Sequence, residues 1–320
     1  LVHGGKGLAH DGAMAVFVEG VLPGEEVRVQ VGRVRKGYAE GRALEIVKPS
    51  PDRTTPPCPV YGTCGGCQLQ HASATAQLEL KRAILAETLV RLGGLTGLEV
   101  PPLVASPEVY GYRSRARMAV ICPRSGTAGL AYFEEGSHRP VPIAHCPLLA
   151  PRLNEAVAHL NKSLAGSRAT ASLLQEVRLG LSVTSGEVVL QYMAERCQRG
   201  QAEAWFERVR TGFAGVKGQV MLAGRGVQHR RWVDGVPALT EDSGGLRLRC
   251  SDRSFVQANW RLNATVVETV AAWALEGKGE APLRVLELYA GIGNFGLLIA
   301  REGALVTFVE GNASALADAR

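Results

Sequence analysis

The 320-residue chain lacks any run of 18 apolar residues free of charge, so nothing in it reads as a membrane-spanning helix. It lacks a charged-then-apolar leader with a cleavage site. It opens at Leu1 and not at a methionine, and further residues are expected upstream. No internal repeat or low-complexity stretch stands out either. Charge of one sign is not in large excess: 36 Lys and Arg against 30 Asp and Glu leave +6, a mild surplus that suits a polyanionic partner such as a nucleic acid. With 46% apolar and 21% charged residues and a mean hydropathy of +0.03, the disordered and collagen-like classes are excluded. At this length a single core is exceeded, and two or three compact units are expected.

Cysteine is present but not as a secreted framework, because seven is an odd number and the spacing is uneven. A reducing compartment, the cytoplasm, fits better. Three thiols crowd into Cys58-Pro-Val-Tyr-Gly-Thr-Cys64-Gly-Gly-Cys67, a C-x5-C-x2-C loop, while Cys122, Cys146, Cys197 and Cys250 stand apart. Gly62, Gly65 and Gly66 would let the backbone wrap closely round a centre. Zinc usually takes two C-x2-C pairs, and only one is present. Three cysteines in one loop with a distant fourth is an iron–sulfur habit. Iron–sulfur, zinc and a purely structural or redox role all remain open on spacing alone. For the fourth ligand, Cys146 before Pro147 lies in a loop-like stretch as Cys58 does, with Cys122 its nearest competitor. Cys197 and Cys250 lie in or beside apolar runs, where a free cysteine is a small buried hydrophobe.

Along the chain, short strands over 13–19, 27–31 and 42–47 with Gly and Pro-Gly turns suggest a small all-β barrel bearing Arg33, Arg35, Lys36 and Arg42. A solvated face and an RNA-contacting edge are both open for these cations. A linker follows at 48–52, then the cysteine loop. A helix over 75–92 comes next, stopped by Gly93-Gly94. Tyr112-Arg113-Ser-Arg115-Ala-Arg117 alternates, so a strand would put three guanidinium groups on one face, where they want anions: phosphates, or carboxylates of this chain. Helices near 150–162 and 201–213 alternate with strands near 175–182, 187–194 and 218–224, a mixed α+β middle region.

From Leu283 a β-branched and leucine run becomes a glycine turn, Gly291-Ile-Gly293-Asn294-Phe-Gly296, then an apolar helix and a strand over 305–309 that ends at Glu310. That is a βαβ unit whose glycines admit close approach of a ligand and whose terminal acid can accept hydrogen bonds from ribose hydroxyls. The three glycines also satisfy G-x-G-x-x-G, so a dinucleotide enzyme has to be considered. Glu287, four residues before the first glycine, stands where a pyrophosphate would prefer no carboxylate. S-adenosylmethionine, with a positive amino group and no phosphate, is favoured.

Together these residues resemble the RNA uracil-5 methyltransferase family, over nearly the whole chain. The segment from Cys58 to His71 resembles the family's four-iron, four-sulfur loop, which implies Cys58, Cys64, Cys67 and Cys146 as ligands. Residues 1–48, with the turn from Val18 to Glu25, look like its TRAM domain, an OB-like barrel that grips RNA. Phe255-Val-Gln257-Ala-Asn259 is similar to a Phe-x-Gln-Val-Asn motif, with Ala258 in place of valine. Leu286-Glu-Leu-Tyr-Ala-Gly-Ile-Gly-Asn-Phe295 resembles the family's glycine motif, from which Glu287 and Ala290 depart. The resemblance implies donor contacts by Gln257, Tyr289, Gly291, Gly293, Asn294 and Glu310, and RNA contacts by Arg35, Lys36, Arg113, Arg115 and Arg117.

The implied fold is multidomain α/β: an N-terminal TRAM barrel over 1–49, an α+β central domain with the iron–sulfur loop over 50–69 and 102–253, and an incomplete Rossmann-like methyltransferase domain over 70–101 and 254–320. The implied reaction forms 5-methyluridine in RNA, with 23S ribosomal RNA ahead of transfer RNA. A monomer is expected, with no membrane partner. Family chemistry needs a cysteine nucleophile in a Ser-Cys-Asn-Pro-like motif and a carboxylate base, and neither motif occurs in these residues. Both are expected beyond Arg320, so this chain is read as a fragment inactive by itself. A cluster-bearing RNA-binding module without catalysis is the alternative.

Overall fold

The computed structural model describes residues 1–224, 230–276, 279 and 282–320. The chain divides into two compact units, Leu1–Ala105 with Phe133–Val141, and Ser106–Tyr132 with Pro142–Arg320.

The first unit opens with β1 (Gly7–Asp11), β2 (Met14–Glu19), β3 (Glu26–Arg35) and β4 (Tyr38–Lys48), in the sheet order β1-β2-β4-β3. β2 and β4 run parallel, and the other pairs are antiparallel. Alternation turns Val16, Val18, Val27 and Val29 inward with Val21, Ala39 and Ile46 to make a small core. The β3–β4 pair is longer than the sequence pattern suggests, because its outer half is mostly exposed and its apolar residues, Val31, Val34, Tyr38 and Ala39, do not alternate along either strand. Arg35 ends β3 and Lys36 sits in its tight turn, both exposed.

After the cysteine loop, α1 (Ala74–Arg91) starts at Ser73, whose side chain accepts the Ala76 amide, and its cap residue is Leu92, just before Gly93-Gly94. Ala76 and Leu80 pack on Leu22 and Ala72. Glu25, whose carboxylate is wholly buried, binds Arg53 twice, at 2.5 and 2.6 Å, and also accepts the Leu22 and Ser50 amides. This pins the turn after β2 to the segment that leads into the cysteine loop.

The second unit contains β5 (Arg115–Ile121) and β6 (Gly129–Phe133), whose turn toward β7 (Pro140–Pro142) belongs with the first unit. Then come α2 (Pro151–Ala165), α3 (Arg168–Ala171), β8 (Leu174–Leu181), β9 (Val188–Ala194), α4 (Arg199–Gly212), β10 (Val216–Ala223) and β11 (Arg230–Gly235). The strands lie in the order β11-β10-β9-β8-β5-β6-β7. Leu153, Ala156, Val157, Leu160 and Leu164 of α2, and Ala202, Trp205, Phe206 and Val209 of α4, are buried at helical spacing. Tyr192 lies edge-on to Trp205, and its hydroxyl donates to Gln219, whose amide in turn donates to Phe206 and Asp234.

Strands β12 (Ala238–Ser243) and β13 (Leu246–Ser251) form a hairpin, followed by α5 (Trp260–Leu275), β14 (Arg284–Leu288), α6 (Gly296–Arg301), β15 (Leu305–Val309) and α7 (Ala313–Asp318). β14 and β15 pair in parallel across α6, the βαβ unit read from the sequence. One core joins Leu239, Leu248, Cys250, Trp260, Ile292 and Ala315; a second joins Val267, Ala271, Leu298, Ile299 and Ala304. Asp318 ties α7 to β13 by accepting from Arg249 and the Ser251 amide. Among the described residues no helix is long and apolar enough to cross a membrane.

Candidate functional site

The loop after β14 has the backbone its glycines imply. Gly291 and Gly293 sit at φ 58° and 77°, the left-handed region that only glycine enters freely. Gly296 is needed for a different reason: a side chain there would overlap the Glu287 carboxylate and the Phe308 ring. Third glycines of this kind allow close packing of helix on strand. Tyr289 is the one described non-glycine residue with positive φ, at 56°, and its ring is 91% exposed. A side chain held in that region costs about 1 to 2 kcal/mol and such strain collects at ligand sites.

Two carboxylates shape the loop. Glu287 accepts the Gly296 amide at 2.8 Å at the start of α6, and burial raises its carboxyl above the usual range despite the opposing amide bonds. Glu310, just past β15, accepts Asn312 N at 2.6 Å and Gly291 N at 2.7 Å, and these amides hold its carboxyl below the usual range. It is an ionised, solvent-facing acceptor with lone pairs left over, the form a ribose diol needs.

Gln257 is exposed in the segment before α5, where Asn259 caps the helix by accepting the Leu262 amide. Asn294 exchanges amide hydrogen bonds with Asn263, a residue that the sequence pattern did not single out. Its position four residues after Asn259, one turn along the same helix face, was the available signal.

The cysteine loop lies wholly in the first unit. Hydrogen bonds brace it: Tyr61 donates to Gln68 O at 2.7 Å and pairs with His71 Nδ1 at 2.6 Å, and His71 Nε2 approaches Val21 O at 3.3 Å. Burial pushes the Tyr61 hydroxyl up to about 12 and depresses the buried His71. Gly62 is left-handed, and Gly65 lies against the Glu134–Glu135 backbone with no room for a side chain. Cys146 is in the second unit, where Asn154 of α2 accepts its amide at 2.9 Å and donates to its carbonyl at 3.0 Å. Among the described residues no three His, Cys, Asp or Glu side chains are grouped so as to hold a metal ion.

Cys197 and Cys250 are buried, as expected of small core residues. Burial raises the Cys197 thiol and pushes that of Cys250 up to about 12, so neither is a nucleophile at neutral pH.

The arginine strand divides into three different environments. Arg113 is exposed and precedes β5, donating to Arg115 O. Arg115 is largely buried over Gly180, which leaves room for its guanidinium, and its Nε has no partner among the described residues. Arg117 pairs with Glu176 on β8, which also accepts Arg178 at 2.7 Å. Arg117 and Arg178 face each other directly across the strands. One carboxylate between two arginines leaves this triad with a net positive charge. Arg178 was not singled out from the sequence, although its strand alternates in the same way as β5.

A cleft of about 720 Å3 in the first unit runs beside β4 and the cysteine loop, reached by Lys6, Glu19, Arg42, Glu45, Glu134 and Glu135. Carboxylates outnumber cations there, which disfavours phosphate in the cleft.

A glycine turn between parallel strands, with an acid after the second, defines a βαβ unit of the kind found in nucleotide-binding α/β folds. Comparison with known proteins takes this further. A family model described as tRNA (Uracil-5-)-methyltransferase matches residues 73–319, and one described as TRAM domain matches 2–44. The chain belongs to the tRNA (uracil-5-)-methyltransferase family. It is 36% identical over 98% of its length to the 23S rRNA (uracil(1939)-C(5))-methyltransferase RlmD of Halomonas elongata, and 37% identical over 98% to that of Chromohalobacter salexigens. It spans 64% and 65% of the length of those relatives. The fold is similar to the crystal structure of Pyrococcus abyssi tRNA (uracil-54, C5)-methyltransferase in complex with S-adenosyl-L-homocysteine, with a TM-score of 0.72 at 24% identity over 95% of this chain and 71% of that one.

Proposed function

We propose that the chain serves transfer of a methyl group from S-adenosylmethionine to carbon 5 of a uracil in RNA, with 23S ribosomal RNA as the substrate. The observation that carries the donor assignment is the glycine loop between Glu287 and Glu310, with an ionised acceptor for ribose and a half-buried carboxylate where a pyrophosphate would be repelled. Ribosomal RNA is favoured over transfer RNA by the names of the curated relatives and by a TRAM region joined to a cysteine loop.

In this reading Glu310 orients the ribose, Gly291 and Gly293 admit the donor, and Gln257, Tyr289 and Asn294 flank it. Uracil carbon 5 becomes nucleophilic only when a thiolate adds to carbon 6. The resulting enolate then takes the sulfonium methyl, releasing S-adenosylhomocysteine, and loss of the carbon 5 proton to a base expels the thiolate. The seven cysteines of this chain do not supply that thiolate: two are buried and raised, and none lies in a Ser-Cys-Asn-Pro-like setting. Expression of the gene that encodes this chain in cells whose 23S rRNA lacks 5-methyluridine is expected to restore it, as read by nucleoside mass spectrometry. The 320 residues alone are not expected to do so. Restoration by these residues alone would overturn the nucleophile assignment, and methylation confined to transfer RNA would overturn the substrate.

RNA binding is assigned to the β3–β4 tip with Arg35 and Lys36, and to Arg113, Arg117 and Arg178 around the shared Glu176. Arg115 takes part from beneath, as a half-buried charge with the Glu241 carboxylate as its charged neighbour. Replacing Arg113, Arg117 and Arg178 by alanine should weaken RNA binding and lower the slope of log K against log salt by about one for each phosphate no longer neutralised. An unchanged slope would leave them as a solvated face.

A four-iron, four-sulfur cluster on Cys58, Cys64, Cys67 and Cys146 is supported by the C-x5-C-x2-C spacing and by the braced loop. Anaerobic purification should give a coloured, iron-containing protein that loses its iron on Cys64→Ala. A colourless protein holding one zinc would contradict it. The three-part division into barrel, central domain and methyltransferase domain at 1–49, 50–69 with 102–253, and 70–101 with 254–320 belongs to the same reading.

A further inference from the structure

Tyr289, Gly291 and Gly293 put three left-handed residues within five positions of one loop. Such a run persists only where its surroundings over-determine it. Part of the hold is through backbone amides: Ala290 N donates to Val309 O, Gly293 N to Ala290 O, Gly291 N to Glu310, and Gly296 N to Glu287. These bonds tie the loop to its own strands and helix, and none reaches α5.

Ile292 of the loop shares a core with Trp260 of α5, and the hydrogen-bonded link to α5 is a reciprocal amide pair. Asn263 Nδ2 donates to Asn294 Oδ1 at 2.8 Å, and Asn294 Nδ2 donates back to Asn263 Oδ1 at 3.0 Å. Asn263 is 3% exposed, so its amide has no water to fall back on. The pair requires a donor and an acceptor on each side, which asparagine has and which leucine and aspartate do not. Asn263 stands one turn past Asn259, the cap of α5, and the segment leading into that cap carries Gln257. The pair therefore connects the two stretches assigned to the donor, the glycine loop and the Gln257 segment. It uses one donor and one acceptor of Asn294, fixing that amide's orientation and leaving its second N–H and second lone pair for a ligand.

We infer that Asn263 is a positioning residue for the methyl donor, acting through Asn294 to hold the glycine loop and the start of α5 in one arrangement. This rests on the reading of the loop as the donor site.

The test is calorimetric titration of S-adenosylhomocysteine into the chain and into Asn263→Leu, Asn294→Leu and the double variant, at a temperature where circular dichroism shows each protein folded. Asn263→Leu is expected to weaken binding about tenfold or more, equivalent to roughly 1.4 kcal/mol or more. The double variant is expected to bind no more weakly than Asn294→Leu alone, because Asn263 acts only through that residue. A purely structural role would lower the melting temperature and leave the affinity of the folded protein unchanged, which would overturn the inference. Additive losses in the double variant would overturn it as well. If the unsubstituted chain itself fails to bind S-adenosylhomocysteine, the donor reading falls first, and that outcome is visible before any variant is made.

Discussion

Alanine at Gly296 is expected to reduce S-adenosylhomocysteine binding by about 100-fold or more. The added carbon would overlap the Glu287 carboxylate and the Phe308 ring, and would lie 2.9 Å from Val306. None of these can give way cheaply. Glu287 is fixed by the Gly296 amide, and the other two belong to β15, which carries Glu310 at its end. Overpacking of this kind costs about 1 to 3 kcal/mol in stability. The larger loss falls on the ligand, because the loop amides that fix Glu310 move with it. Alanine at Gly291 is the comparison: its Cβ meets open space and only the φ of 58° resists it, so a loss of about 1 to 2 kcal/mol is expected with the loop otherwise intact. Equal donor affinity in wild type and Gly296→Ala would remove this loop from the donor site.

The second large effect is expected in the first unit. Arg53→Ala leaves the buried Glu25 carboxylate with two amides and no counter-charge, and breaking a buried pair from one side costs about 3 kcal/mol or more. Hydrogen exchange should accelerate in peptides covering 16–73 and stay unchanged in those covering 150–320. Burial alone would raise the Glu25 carboxyl, but the Arg53 guanidinium and the Leu22 and Ser50 amides outweigh it and hold the group at about 2 against an ordinary 4.5. A folded value below the unfolded one means that the contribution is fully present above about pH 4.5 and is lost as pH falls toward 2. Wild type should lose protection in this unit across that window. Glu25→Gln, already without the charge, should start less stable and show a flatter response. Identical acid profiles for the two proteins would contradict the assignment.

Local chemistry was legible where sequence neighbours determine it. The boundaries of α1 follow from Ser73 and Gly93-Gly94, and the βαβ unit from a strand run, a glycine turn and an acid. The same holds for β5, whose alternation placed Arg115 and Arg117 on one face. What alternation could not tell is that Gly180, on another strand, opens a slot that covers Arg115 while Glu176 draws Arg117 aside. The full length of β3 and β4 was hidden for a related reason: a strand exposed on both faces has no apolar period. Strand β1 is five residues with one buried position and offers little signal.

Pairings between distant residues were hidden altogether. Glu25 with Arg53, Asn263 with Asn294, and Tyr192 with Gln219 are separated by 28, 31 and 27 residues, and each looks like an unremarkable polar side chain until the fold brings its partner. The metal expectation shows the same limit from the other side. Spacing announces ligands, but whether Cys146 joins the three thiols of the loop depends on how distant segments come together, which spacing does not carry.

The G-x-G-x-x-G pattern left a dinucleotide and S-adenosylmethionine as rival ligands, and the loop carboxylates are what separate them. Calorimetric titration of the chain with S-adenosylhomocysteine and, separately, with NAD is therefore the most direct measurement. Saturable binding of S-adenosylhomocysteine, weakened by Glu310→Ala, with no heat from NAD, is the predicted result. Binding of NAD with none of S-adenosylhomocysteine would contradict the donor assignment and with it the proposed methyl transfer.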